Sequence, residues 1–221
     1  MVLNPAPKRR TDPRIVLAKT CVHLAALAPL AILSWQVWDV ARTGGDALGA
    51  DPVAEIEHRL GLWALRFLMC ALAVTPLRQL TGKPVLVRFR RMLGLYAFFY
   101  ACLHFGAYLG LDLRGYWTQV FEDIAKRPYI TIGFSAWLML LTLAVTSPKA
   151  MVRRLGGKRW RAIHRLVYVV PVLGVIHFTW AQKKDIRLPL LYGLVLGVIF
   201  AVRLAQWAAG RARLGHTAPV P

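Results

Sequence analysis

The sequence predicts an all-α protein, a polytopic membrane bundle of six transmembrane helices with both termini in the cytoplasm. Three observations lead there. Of the 221 residues, 57% are hydrophobic, above the roughly 45–50% of soluble chains. The apolar residues gather into six blocks, 15–38, 60–77, 92–111, 129–147, 163–181 and 188–209. Each approaches or reaches the ~20 residues that cross a hydrocarbon core of ~30 Å. The basic residues fall mostly between the blocks. Because the blocks are apolar on all sides, not alternately, they are helices and not strands of a barrel.

Residues 1–14 are polar, basic and proline-containing, a loose cytoplasmic tail. The first block is too long for the apolar region of a signal peptide, and no small-residue cleavage site follows, so it is a retained helix. The Gly- and Asp-rich stretch 39–57 (DVARTGGDALGADPVAEIE) is an outside loop. Thr75-Pro76 is expected to close the second helix, and Pro84 to keep the basic loop after it non-helical. Residues 113–127 (LRGYWTQVFEDIAKR) read as a short surface helix with Tyr116 and Trp117 at headgroup depth. Ser147-Pro148 ends the fourth helix, Gly156-Gly157 breaks the next basic loop, and Pro189 opens the sixth helix. Residues 15–209 form one transmembrane domain, followed by a second cytoplasmic tail, 210–221. Neither internal repeats nor low-complexity tracts occur.

The net charge of +19 raises the question of nucleic acid, and the distribution of charge answers it. With the N-terminus inside, the inner segments hold Lys8, Arg9, Arg10 and Arg14, then Arg78, Lys83, Arg88, Arg90 and Arg91. Further on they hold Lys149, Arg153, Arg154, Lys158, Arg159, Arg161 and Arg211. The outer segments hold fewer cations and most of the acids, among them Asp39, Asp46, Asp51, Glu55, Glu57, Asp112 and Asp185. This is the positive-inside pattern of a membrane protein. A nucleic-acid footprint would cluster on one soluble face, and the chain has no such face.

Cys21, Cys70 and Cys102 lie in apolar blocks without metal or haem-attachment spacing, and read as small buried side chains. Of the six histidines, His104, His164 and His177 lie well inside apolar blocks. An imidazole in lipid is costly unless it hydrogen-bonds or ligates something. His104 lies 13 positions beyond Arg91, where its helix enters the membrane, and His177 lies 13 beyond His164. Both are therefore ~20 Å above the cytoplasmic helix ends. One histidine on each side of a bundle core is the arrangement that ligates a haem b iron axially. Gly94, Gly106 and Gly174 are candidates for making room, and Phe98, Phe99, Tyr100 and Phe105 pack against such a group or serve as core and lipid-facing residues. On an ideal helix, His164 and His177 stand roughly 140° apart, unless Pro171 distorts the helix between them.

Several stretches taken together resemble the ferric-reductase-like haem b membrane proteins, and among them the membrane subunits of periplasmic methionine sulfoxide reductase systems. They are GADPVAEIEHRLGLWALRFL (49–68), VTPLRQL (74–80), RRMLGLYAFFYACLH (90–104), RPYITIGFSAWLMLLTLAVTS (127–147) and GKRWRAIHRLVYVVPVLGVIHFTW (157–180). The resemblance implies haem b and FMN in the bacterial inner membrane. It also implies electrons taken from the quinone pool and passed outward to a periplasmic catalytic subunit carrying a molybdenum cofactor. Four-histidine members of the superfamily place two histidines on each of two helices. Here the inner partner of His164 is replaced by Arg91, so only the outer pair, His104 with His177, is complete. The inner site, with His164 and the Arg90/Arg91 and Arg159/Arg161 clusters, is then expected to handle flavin or quinone, since basic side chains suit an FMN phosphate.

Arg66, inside the second helix, is a candidate for a haem propionate, a flavin phosphate or a structural salt bridge. His23 is a candidate for an interhelical hydrogen bond or a quinone contact. His58 reads as a surface residue and His216 as part of the tail. A transporter would show repeats or broken helices. The competing readings are a haem b quinol or ferric reductase with another partner, and a haem-handling assembly factor. The chain carries no G-x-G-x-x-G nucleotide fingerprint, so its electrons come from a membrane-soluble donor or a separate protein.

Overall fold

The computed structural model describes residues 12–182 and 185–215, and among these the chain is helical without strands. The tail residues Lys8, Arg9, Arg10 and His216, the loop pair Lys183 and Lys184, and the side chain of Trp117 lie outside the described residues. The helices are α1 Pro13–Thr43, α2 Pro52–Thr81, α3 Val87–Ala107, α4 Trp117–Lys126, α5 Pro128–Val145, α6 Lys149–Ile163, α7 Leu166–Ala181 and α8 Arg187–Gly215. Two compact units result, Met1–Leu48 with α1, and Gly49–Pro221 with the other seven helices.

Local chemistry sets the helix ends. Asp12 and Asp51 accept hydrogen bonds from the Arg14 and Ala54 N–H groups at 2.9 and 3.0 Å, each followed by a proline in the first helical position. Side-chain capping of an orphan N–H, with proline where no N–H is needed, is a strong start signal. Gly44 and Gly82 end α1 and α2 in the left-handed conformation, at φ 67° in both. The loop between these helices is therefore only 44–51, shorter than the 39–57 expected. The basic stretch after Pro84 is helical, not a loop: a 3-10 turn, Pro84–Leu86, leads straight into α3. Arg88, Arg90 and Arg91 thus sit on the first turns of that helix.

Pro76 does not close α2 but lies inside it. A proline has no N–H to give the carbonyl four residues back, here that of Leu72. Arg203 Nη2 of α8 donates to that carbonyl at 2.8 Å. A helix in lipid tolerates an interior proline when a neighbour satisfies the freed carbonyl.

Five helical stretches are long and apolar enough to cross a membrane: α1, α2, Pro84–Asp112, α5 and Arg187–Ala212. The pair α6 and α7, bent by 46°, passes the same test only when taken together, which gives a sixth if the two form one span. The protein is a multi-pass membrane protein. The third of these stretches ends in a π-helical turn, Tyr108–Asp112. The fifth predicted span, 163–181, is thus a 16-residue α7 completed by α6. Gly156, at φ 76° and ψ 153°, interrupts α6 where the glycine pair was expected to break it. The surface helix expected within 113–127 is α4.

Within the larger unit, α2 packs along α3 and α5 along α7, while α8 leans on α2 and α7, and α3 touches α5. Leu62, Leu65, Met69 and Leu72 of α2 meet Phe178 of α7 and Leu196 of α8 in one core. Beside it Phe67 stacks on the fully buried Tyr100 at 5.4 Å. Cys21 and Cys70 are exposed on their helices rather than buried.

Candidate functional site

The two ends of the bundle core carry different chemistry. At one end the fold brings His104 of α3 and His177 of α7 together, their ring centroids 6.0 Å apart and the planes inclined by 74°. Each ring is held through Nδ1. His104 Nδ1 donates to the Glu57 carbonyl of α2 at 2.9 Å, and His177 Nδ1 donates to the Tyr129 carbonyl of α5 at 2.7 Å. A carbonyl only accepts, so Nδ1 bears the proton in both rings. Nε2 is then the nitrogen with a lone pair to give, the state in which metal-binding histidines are held.

The glycines that approach the rings are others than those the sequence offered for making room. Gly94 and Gly106 face open space, and Gly174 faces Leu65. The glycines that touch the rings are Gly61, beside His104, and Gly133, beside His177. Neither was legible as such in the sequence, because each lies on a helix other than that of its histidine. Phe105 joins Phe134 and Trp137 of α5 at 5.8 and 5.0 Å. Phe98 also meets Trp137, at 6.4 Å. Tyr100 belongs to the α2–α3 core, and Phe99 is partly exposed. His58 is no plain surface residue, since it packs on Phe178 at 5.5 Å.

His164 stands apart. It lies in the joint between α6 and α7, so the question of its angle to His177 on a single straight helix does not arise. Its ring stacks on Trp160 at 4.1 Å. The Thr146 hydroxyl gives its proton to the Thr142 carbonyl at 2.7 Å, so His164 Nε2, 3.1 Å away, donates to that hydroxyl. His164 thus spends Nε2, whereas His104 and His177 spend Nδ1. Trp160 Nε1 donates to the Thr146 carbonyl at 3.0 Å, and Arg91 Nε reaches Ser147 at 3.3 Å. Arg91 and His164 therefore share one cluster, while Arg90, Arg159 and Arg161 are exposed.

Arg66 donates to the Tyr192 hydroxyl at 2.7 Å and lies over the Trp63 ring at 4.7 Å. The salt bridge considered for it is not formed: among the described residues the ion pairs are Arg59–Glu55, Lys126–Glu122 and Arg127–Asp123. His23 is exposed on α1, in the smaller unit. Arg203, absent from the sequence-based candidates, also donates to the Tyr168 hydroxyl at 2.9 Å, and forms no ion pair among the described residues. It borders a cavity of about 520 Å³ together with Gln79, Tyr168, Phe200, Gln206 and Trp207. Tyr168 is one helical turn beyond His164 and nine residues before His177, a rise of roughly 14 Å.

Residues 60–175 match the family model of the ferric reductase like transmembrane component. The chain is 58% identical to a protein-methionine-sulfoxide reductase heme-binding subunit MsrQ of Xanthomonas oryzae, over 95% of this chain and 96% of that one. It is 57% identical to the protein of the same name from Xanthomonas euvesicatoria, over 96% and 97%. Against that of Rhodospirillum rubrum it is 49% identical over 90% and 93%.

Proposed function

We propose a function from one premise: the chain belongs to the MsrQ family of ferric-reductase-like transmembrane proteins. It is the haem b-binding, electron-transfer subunit of a methionine sulfoxide reductase in the bacterial inner membrane. It carries electrons from the quinone pool to a periplasmic, MsrP-like catalytic subunit with a molybdenum cofactor. The observation that carries this reading is the His104–His177 pair, 6.0 Å between centroids with both Nδ1 atoms committed to helix carbonyls. Two imidazoles that share one metal ion through bonds of about 2 Å have centroids about 6 Å apart, so the residues fit the group. Held by these two residues, haem b would supply a one-electron couple whose potential would follow their ligation and the burial of the site.

Each of the chain's own residues has a task in this reading. His104 and His177 hold the iron, and the Glu57 and Tyr129 carbonyls keep both rings in the binding tautomer. Phe105, Phe134 and Trp137 shield the site from water. Arg66, a cation that forms no ion pair among the described residues, suits an anionic edge of the cofactor. At the other end Arg90, Arg91, Arg159 and Arg161 suit the phosphate of FMN, and His164 sits among them. The cavity at Arg203, walled by aromatic rings and open among apolar side chains, suits a quinol ring with its tail in lipid. The basic ends of α2, α3, α6 and α8 support a cytoplasmic placement of that end, and of both termini.

A stopped-flow trace of the reduced haem band tests the proposal. A quinol donor is expected to reduce the haem, and the periplasmic subunit with methionine sulfoxide to reoxidise it. A band that stays reduced after both are added sinks the assignment to this repair system.

A further inference from the structure

The two histidines dock by the same device. His104 donates to the carbonyl of Glu57, and four residues further along α2 stands Gly61. A Cβ there would lie 3.4 Å from both His104 Nδ1 and Cε1. His177 donates to the carbonyl of Tyr129, and four residues further along α5 stands Gly133. A Cβ there would lie 2.7 Å from His177 Nδ1 and 2.8 Å from Cε1.

The spacing has a physical cause. Helical Cα–Cβ bonds tilt toward the N-terminus, so the side chain of residue i+4 leans over the carbonyl of residue i. That carbonyl already accepts the i+4 N–H, and its second lone pair is reachable only if nothing stands over it. Glycine leaves it uncovered.

We propose that Gly61 and Gly133 are positioning residues for the histidine pair. Each bares one helix carbonyl so that an imidazole can lie flat against the helix, which fixes the tautomer and the aim of Nε2. The proposal rests on His104 and His177 being the axial ligands. The two positions differ in strictness. Contact at 3.4 Å is ordinary packing, so Gly61 accepts a methyl group with a small adjustment. At 2.7 Å the His177 ring has to move, so Gly133 does not.

The test uses the full-length protein purified in detergent with its haem. Gly133→Ala is expected to lose haem several-fold, or to keep it with the low-spin electron paramagnetic resonance signal converted toward high-spin and the midpoint potential shifted. Gly61→Ala should change haem content less than twofold. Gly197→Ala and Gly210→Ala, on α8, where a Cβ meets nothing within 4 Å, should match the parent protein. Gly133→Ala with the haem content, signal and potential of Gly197→Ala would overturn the proposal.

A second pair of variants separates steric aim from general damage. In His177→Gly, added free imidazole is expected to restore the low-spin spectrum, and equally so in His177→Gly with Gly133→Ala, because an untethered ring can shift. Rescue of the single but not the double variant would overturn the proposal as well. Full haem retention by His177→Ala would instead remove the ligand assignment on which it rests.

Discussion

At the scale of single residues, the histidines divide by which nitrogen is free. His104 and His177 spend Nδ1 on a carbonyl, whereas His164 spends Nε2 on Thr146. His104→Ala and His177→Ala are each expected to lose most of the haem or turn it high-spin, since one protein ligand remains. His164→Ala should leave the haem largely in place and lower flavin content or the rate of quinol oxidation. Pyridine haemochrome and flavin assays on the three purified variants check this. Equal and complete haem loss in all three would mean that the pairing is wrong. Spacing along the chain could not have made this distinction, because it does not say which ring nitrogen finds a partner.

At the scale of elements, the proline in α2 and the arginine in α8 form one unit. Pro76 orphans the Leu72 carbonyl, and Arg203 satisfies it while also holding Tyr168. Arg203→Met should destabilise the protein by about 1–3 kcal/mol, the cost of leaving buried polar groups unpaired. In a Pro76→Ala background the helix supplies its own N–H, so the same substitution should cost about 1 kcal/mol less. Unfolding titrations of the four proteins in detergent give the coupling, and simple additivity would show that the link contributes nothing. Read along the chain, Pro76 looks like a stop signal. It becomes an interior residue because α8 offers a donor at the depth where α2 lacks one.

For the whole molecule, the charge asymmetry bears on orientation in the membrane, and through it on the proposed direction of electron flow. A reporter fused after residue 213 is expected to be cytoplasmic, and one inserted within 44–51 periplasmic. A periplasmic C-terminus would place the Arg203 cavity and the His164 cluster on the outer side and reverse the proposed path. The histidine pair lies roughly 14 Å along α7 from Tyr168, so the two ends of the core are separate sites on one continuous helix.

The sequence by itself determined the apolar runs of bilayer length, the segregation of charge and the histidines set deep in those runs. These are one-dimensional properties, because crossing a bilayer depends on the length and polarity of a run. Tertiary structure alone decided which groups meet. The Glu57 carbonyl and His104 are 47 positions apart, Tyr129 and His177 are 48, and Leu72 and Arg203 are 131. A span that is apolar on every side has no stripe to announce which face turns inward. In lipid that rotation is set by close packing and interhelical hydrogen bonds rather than by hydrophobic contrast. The choice of Gly133 and Gly61 over Gly94 and Gly106, and the isolation of His164 in a bent joint, follow from that rotation.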